Sequence, residues 1–113
     1  MAAPVPTFTL HSWETRRYSV TVTADTDPTG DTIEFGVAVE STADQDPASW
    51  TAGTWPGSYT SGEAEAYSPT FGTSESTITP GVTLTEDTTY HVYARVRSAT
   101  DAPGDRVARI VVK

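Results

Sequence analysis

The residues able to do chemistry in this chain are few. There is no Cys, and His11 and His91, eighty positions apart, are the only side chains that titrate near neutral pH. Neither His sits in a nucleophile-elbow or zinc-helix pattern, so nothing pairs a base with a nucleophile or a metal with its ligands. The acids offer one spaced set: Asp25-x-Asp27-x-Thr29-Gly30-Asp31 places oxygens at positions 1, 3, 5 and 7 of a calcium loop, with Gly at 6. Position 12, which should bring a bidentate Glu, is Gly36, so an Asp- and Gly-rich hairpin loop competes with a weak calcium site at Asp25, Asp27 and Asp31. Close pairs such as Glu63 and Glu65, or Asp44 and Asp46, are what solvated loops carry. These observations predict a protein that is not an enzyme and needs no cofactor.

Aromatic side chains are the second source of binding chemistry. Trp50, Trp55, Tyr59, Tyr67 and Phe71 gather in one stretch, five of the eleven aromatics in the chain. Flat exposed rings would stack on sugar faces or anchor a protein partner, whereas inward rings would fill or edge the core. Trp50 and Trp55 are five residues apart, which puts them on opposite faces of an extended segment.

The elements that must hold these residues are strands. Among 113 residues Thr occurs 21 times and Val eleven, Leu only twice, and no stretch repeats apolar residues at helical spacing. Alternation predicts strands over Arg17 to Ala24, Thr32 to Ser41, Tyr90 to Arg97 and Arg106 to Val112, the last two joined as a hairpin through Asp101 to Asp105. Shorter strands are expected at Thr7 to Leu10 and Ser76 to Thr79. The length suits one domain over 1–113, with an extended arm at 1–6 and a loop-rich middle at 42–80. The expected fold is an all-β antiparallel sandwich of about seven strands, with a small barrel as the alternative.

Leu84-Thr-Glu-Asp-Thr-Thr-Tyr90, followed by Val92, Ala94 and Val96, resembles the corner that leads into the sixth strand of fibronectin type III and other immunoglobulin-like domains. The resemblance implies that Leu84, Thr88 and Tyr90 form a structural corner in which the Tyr hydroxyl bonds back to the preceding loop. A free-standing sandwich of this size, in a chain without Asn and with one Lys, also resembles the small accessory proteins that decorate heads or tails of tailed bacteriophages. That second resemblance implies a structural role on a virion, against capsid or tail subunits.

Charge is unevenly placed. Twelve carboxylates and no basic residue lie between Arg17 and Arg95, while the flanks are net basic, and the total is −8. Such a balance disfavours nucleic acid and anionic lipid as partners. The opening Met-Ala-Ala-Pro-Val-Pro has neither the basic nor the apolar segment of a signal peptide, and no apolar run could cross a membrane. The chain is therefore expected to stay in the cell that makes it, the host cytoplasm on the virion reading, or else to begin at an engineered Met.

If Tyr90, Val92, Ala94 and Val96 face inward, then His91, Tyr93, Arg95 and Arg97 face outward. Gly36 and Ala38 would flank them on one side, and Val107, Arg109 and Val111 on the other. Tyr93, Arg95, Arg97, Val107, Arg109 and Val111 thus form an expected protein-binding patch. Cross-strand pairing with Glu34 and Glu40 is the competing use of its charges. The leading expectation is a non-enzymatic interaction module of a virion, self-association included. A carbohydrate-binding or adhesion module using Trp50, Trp55, Tyr59 and Tyr67 is the alternative.

Overall fold

The computed structural model describes residues 5–40, 47, 49–76, 78–98 and 104–113. Ten strands appear among them: β1 (Thr7–Leu10), β2 (Thr15–Arg16), β3 (Ser19–Thr23), β4 (Thr32–Val39), β5 (Thr51–Ala52), β6 (Glu63–Tyr67), β7 (Phe71–Gly72), β8 (Val82–Thr83), β9 (Thr89–Arg97) and β10 (Gly104–Val112). The chain is all-β, and no helix of the described residues is long and apolar enough to cross a membrane.

The long alternating segments make the central ladder. β4 lies antiparallel to β9 over eight residues, from Thr32 opposite Arg97 to Val39 opposite Tyr90, and β9 lies antiparallel to β10. With β1 and β5 at the edges the sheet runs β1-β10-β9-β4-β5. Across from it stand the pair β3-β6 and the small sheet β2-β7-β8. Ile33, Phe35, Val92, Ala94 and Ile110 of the large sheet share one core with Ala66, Phe71 and Leu84, and Val20 and Val22 pack against it. Two layers around one core are compatible with a β-sandwich. The pairing is mixed and not purely antiparallel: β1 runs parallel to β10, and β7 parallel to β8.

Several boundaries depart from the sequence pattern. Ser76, Ile78 and Thr79 belong to no strand, Ser76 and Ile78 lying in bends with the Ser76 hydroxyl shared between the carbonyls of Thr73 and Ile78; the pairing falls to β8 instead, and residue 77 lies outside the described residues. The middle of the chain contains β5, β6 and β7, and the turn expected at Asp101 to Asp105 falls outside the described residues up to 103. Asp44 and Asp46 and the start of the N-terminal arm, residues 1–4, also lie outside them. Before β6, Ser61 (φ 54°) and Gly62 (φ 81°) make the two-residue turn that brings Thr60 opposite Glu63; positive φ at both positions is what such a turn demands.

β10 carries a bulge. Arg106 stands opposite Tyr93 and Ala108 opposite Val92, so Val107 is an extra residue with no partner of its own in the register. The alternation slips there. Val107 turns in and packs against the core, while Arg106 takes the outward place beside Tyr93 that the sequence pattern assigns to Val107.

Candidate functional site

The outward face of β4, β9 and β10 was expected to be a binding patch, and its charged groups are spent within the chain. Arg95 Nε donates to Glu34 Oε1 at 2.8 Å, and Arg97 reaches Glu34 Oε2 at 3.8 Å. The Trp50 ring lies over the Arg95 guanidinium, 4.2 Å from it, so this cation is held between a carboxylate and an aromatic face. Glu34 itself is buried, 9% exposed. Gly36 lets the returning chain close down on this face: a Cβ there would meet Pro47 Cβ at 2.6 Å and the Ser49 carbonyl at 2.9 Å.

A second network covers the other half of the same face. Arg109 donates to Glu40 through Nε at 2.6 Å and Nη2 at 3.1 Å, a bidentate pair. These bonds hold the Glu40 carboxyl down at about 2, against an opposing desolvation, and Glu40 in turn raises Arg109. His91 was expected to be exposed and is instead buried, 6% exposed, beneath this pair. Its Nε2 lies 3.3 Å from Glu40 Oε1 and its Nδ1 3.4 Å from Arg106 Nη1. A guanidinium can only donate, so the tautomer that satisfies both contacts is the one with Nδ1 accepting from Arg106 and Nε2–H facing Glu40. Of the patch residues, Tyr93, Arg95, Arg109 and Val111 are half-buried, Arg97 is exposed, and Val107 has left the face.

The aromatic cluster is dispersed. Trp55 packs against the core and donates its Nε1–H to the Asp31 carbonyl at 2.9 Å; the Tyr59 hydroxyl donates to the Ala24 carbonyl at 2.6 Å. Tyr67 sits under Arg17, 4.9 Å away, and Phe71 is fully buried. The structure brings no two of Trp50, Trp55, Tyr59 and Tyr67 into ring contact among the described residues. A ring that the sequence pattern did not single out is the exposed one: Trp13, 66% exposed, stacked on His11 at 4.6 Å. One aromatic between polar neighbours gives no periodic signal.

In the Asp loop, Asp27 Oδ1 accepts from both the backbone N–H (2.9 Å) and the hydroxyl (2.6 Å) of Thr29, which lowers its pKa and closes a local turn. Among the described residues no group of three or more His, Asp or Glu is placed to hold a metal ion. At the corner, the Thr85 N–H donates to the Tyr90 hydroxyl at 2.9 Å, Leu84 is buried, and the Thr88 hydroxyl donates to the Glu86 carbonyl at 3.0 Å.

A concavity lies elsewhere, where β3 ends the smaller layer. On the β6 side the two layers are tied together, because Thr54 crosses from β5 to exchange backbone bonds with Tyr67. On the β3 side no backbone hydrogen bond among the described residues ties them. A groove of about 480 Å³ runs along all of Val20 to Ala24 and is floored by Ile33, Ala94, Val96 and Val107; its charged lining is Asp31, Asp105 and Arg95, the last paired with Glu34. The strand edge beside it is unpaired among the described residues. Ala24 N–H bonds to the Gly62 carbonyl and Ser68 N–H to the Tyr18 carbonyl, at 3.0 and 2.8 Å, so the even-numbered residues of β3 exchange bonds with β6. Ser19, Thr21 and Thr23 therefore aim their N–H and C=O groups along the groove. No described strand lies on that edge.

The edge also lacks the usual protection. β3 reads Ser-Val-Thr-Val-Thr, with no charge, no Pro and no bulge, although exposed edges are ordinarily guarded by one of these. Its chemistry is main-chain hydrogen bonding above an apolar floor. Compared with known proteins, no family model, no curated protein and no solved structure matches the chain.

Proposed function

We propose that the chain is a non-enzymatic interaction module built on an immunoglobulin-like, fibronectin type III-like sandwich, and that it serves as an accessory protein of a tailed-phage virion. The observation that carries the binding role is the unguarded β3 edge above an apolar groove, a surface suited to a protein backbone and not to a reaction. Support for the finer fold comes from strand order. Such domains place their third, sixth and seventh strands in one sheet and pair the second with the fifth in the other, and β4-β9-β10 and β3-β6 lay onto that plan. The bond from Thr85 to the Tyr90 hydroxyl has the form of that family's corner.

The virion setting rests on the resemblance of a small free-standing sandwich to phage accessory proteins, together with its charge pattern. Repeated sites on a shell or tube allow a modest interface to hold many copies. The test is to locate the chain in purified particles from its source, by mass spectrometry of the particle and electron microscopy with a labelled antibody. Many symmetric copies on a head or tail are expected. A chain found only outside particles, sedimenting as a lone monomer, would overturn the virion role.

A further inference from the structure

We propose that the groove beside β3 is a strand-acceptor site: it takes one extended segment of a partner protein, uncharged and β-branched at its centre, with Lys or Arg at the end nearest Asp31 and Asp105. This rests on the interaction-module reading and names its partner.

Three observations select that occupant. The first is hydrogen bonding: Ser19, Thr21 and Thr23 present N–H and C=O groups in register along one edge, and an extended backbone satisfies all three residues at once. Five residues of β3 offer about 16 Å of edge at the usual rise per residue. The second is the floor. Val20 and Val22 on one wall and Val96 and Val107 on the other are only half-buried, so alternate apolar side chains of an added strand would complete a core that is open on this side. The bulge in β10 is what turns Val107 toward this space.

The third is geometry, and it separates a single strand from a folded copy. The large sheet extends past β3, since β10 and its edge partner β1 lie beyond β9 on that side. Whatever pairs with β3 already has β10 beneath it. A second copy offering its own β3 edge would bring its own covering sheet into the same layer, and the two covering sheets would collide. A lone segment such as a terminal arm or tail brings no second layer and fits. Charge completes the description: Asp31 and Asp105 line the groove toward Ala24, and the Arg95 that lines it with them is already paired with Glu34, so on a chain of net charge −8 a basic residue belongs at that end of the segment. Antiparallel to β3, that end is the segment's N-terminus.

The probe is a synthetic peptide, Arg-Arg-Thr-Val-Thr-Val-Thr, with a scrambled sequence and a Glu-Glu version as controls. Titrated into the full chain and followed by amide NMR, it is expected to protect the Ser19, Thr21 and Thr23 amides from exchange and to shift Val96 and Val107. Thr21→Pro removes an outward N–H that β6 does not use, so the fold survives while affinity falls about tenfold or more. Val107→Trp fills the groove by a different route and blocks binding in a variant that needs no backbone change. Asp31→Asn with Asp105→Asn weakens the Arg peptide about threefold at low salt and strengthens the Glu-Glu peptide.

Equal binding of the scrambled peptide, or binding unaffected by both Thr21→Pro and Val107→Trp, would overturn the site. So would amides of Ser19, Thr21 and Thr23 already protected in the unliganded chain but exchanging once residues 1–4 are deleted, which would mean that the chain fills its own groove. Dimerisation that Thr21→Pro abolishes would assign the edge to a second copy and overturn it as well. Copies that remain on particles with Thr21→Pro and Val107→Trp would sink this inference alone, whereas particles without the chain sink the virion role and leave the peptide result standing.

Discussion

The outer face of β4, β9 and β10 and the groove beside β3 invert the usual expectation of where binding chemistry lies. The face holds four Arg, two Glu and a His, and each of these polar groups has a partner in the chain: Glu34 with Arg95 and Arg97, Glu40 with Arg109 and His91, His91 with Arg106. The groove is lined mainly by uncharged residues, with Asp31, Arg95 and Asp105 among them, yet its backbone donors and acceptors and its half-buried Val residues are unsatisfied by any described strand. Available interaction energy follows from what is left unpaired, not from how many charged residues a surface displays.

That contrast can be broken most visibly at Glu34. Replacing it with Ala leaves the Arg95 guanidinium under Trp50, and Arg97 beside it, with no carboxylate among the described residues, in a place where Glu34 is almost fully covered. Loss of a partner to a charged, largely covered group costs about 2 kcal/mol. For a domain of this size thermal melting should drop by roughly 8 °C. A melting point within a degree of the parent chain would show that the face is less saturated than its geometry says.

The Glu40 network sharpens the comparison through pH. Arg109 holds the Glu40 carboxyl at about 2 in the folded chain, against 4.5 as the ordinary value. A carboxylate depressed in the native state stabilises above its unfolded pKa and loses that contribution as pH falls through the folded one. The stabilising effect is thus complete above 4.5 and gone near 2. Chemical denaturation of the parent and of Glu40→Gln should give curves that are separated near neutral pH and converge between these limits. Glu14 and Asp27 also titrate low and shape the acid limb of both proteins equally, so only the difference between the two reports Glu40. A constant difference down to the lower limit would dismiss the pair as a source of stability.

The sequence made the large sheet visible and offered Glu34 and Glu40 pairing as one of two uses of the charges on its outer face, but it hid the burial of His91 and the groove, for identifiable reasons. Val92, Ala94 and Val96 alternate with polar residues because one side of β9 meets the core, and the same holds for Ile33, Phe35 and Val37 in β4 only where Glu34 and Gly36 face the returning chain. His91 reads as exposed from its phase alone. Its burial depends on Glu40, 51 residues away, and on Arg109 across the ladder. Val107 reads as outward because nothing in Arg106-Val107-Ala108 spells a bulge. Two-residue strands such as β5, β7 and β8 are too short for any period to show. The groove is legible least of all, since it consists of a strand that no described segment supplies, and alternation records only the strands that are present.

A smaller effect is expected at Tyr18, just before the unpaired edge. Its ring packs on Phe8 at 4.5 Å and Phe71 at 5.9 Å, while its hydroxyl is buried without a hydrogen-bond partner among the described residues, and burial raises its pKa. Tyr18→Phe removes the orphaned group and keeps the ring, so stability should rise by about 1 kcal/mol. A loss of stability would mean that the hydroxyl has a partner.

The smallest change should come from Thr21→Lys, and its smallness is what makes it informative. Thr21 is exposed in the centre of β3, its side chain faces solvent, and its backbone groups point away from β6. A charge placed there is the guard that natural edge strands commonly carry, and for an exposed site away from the core it should shift stability by no more than about 0.5 kcal/mol. Denaturation midpoints that agree within error, set beside the drop at Glu34→Ala, would establish that the edge contributes little to the fold. A loss as large as that at Glu34 would mean instead that the Thr21 edge is already satisfied in the folded chain, and the difference between the two surfaces would vanish.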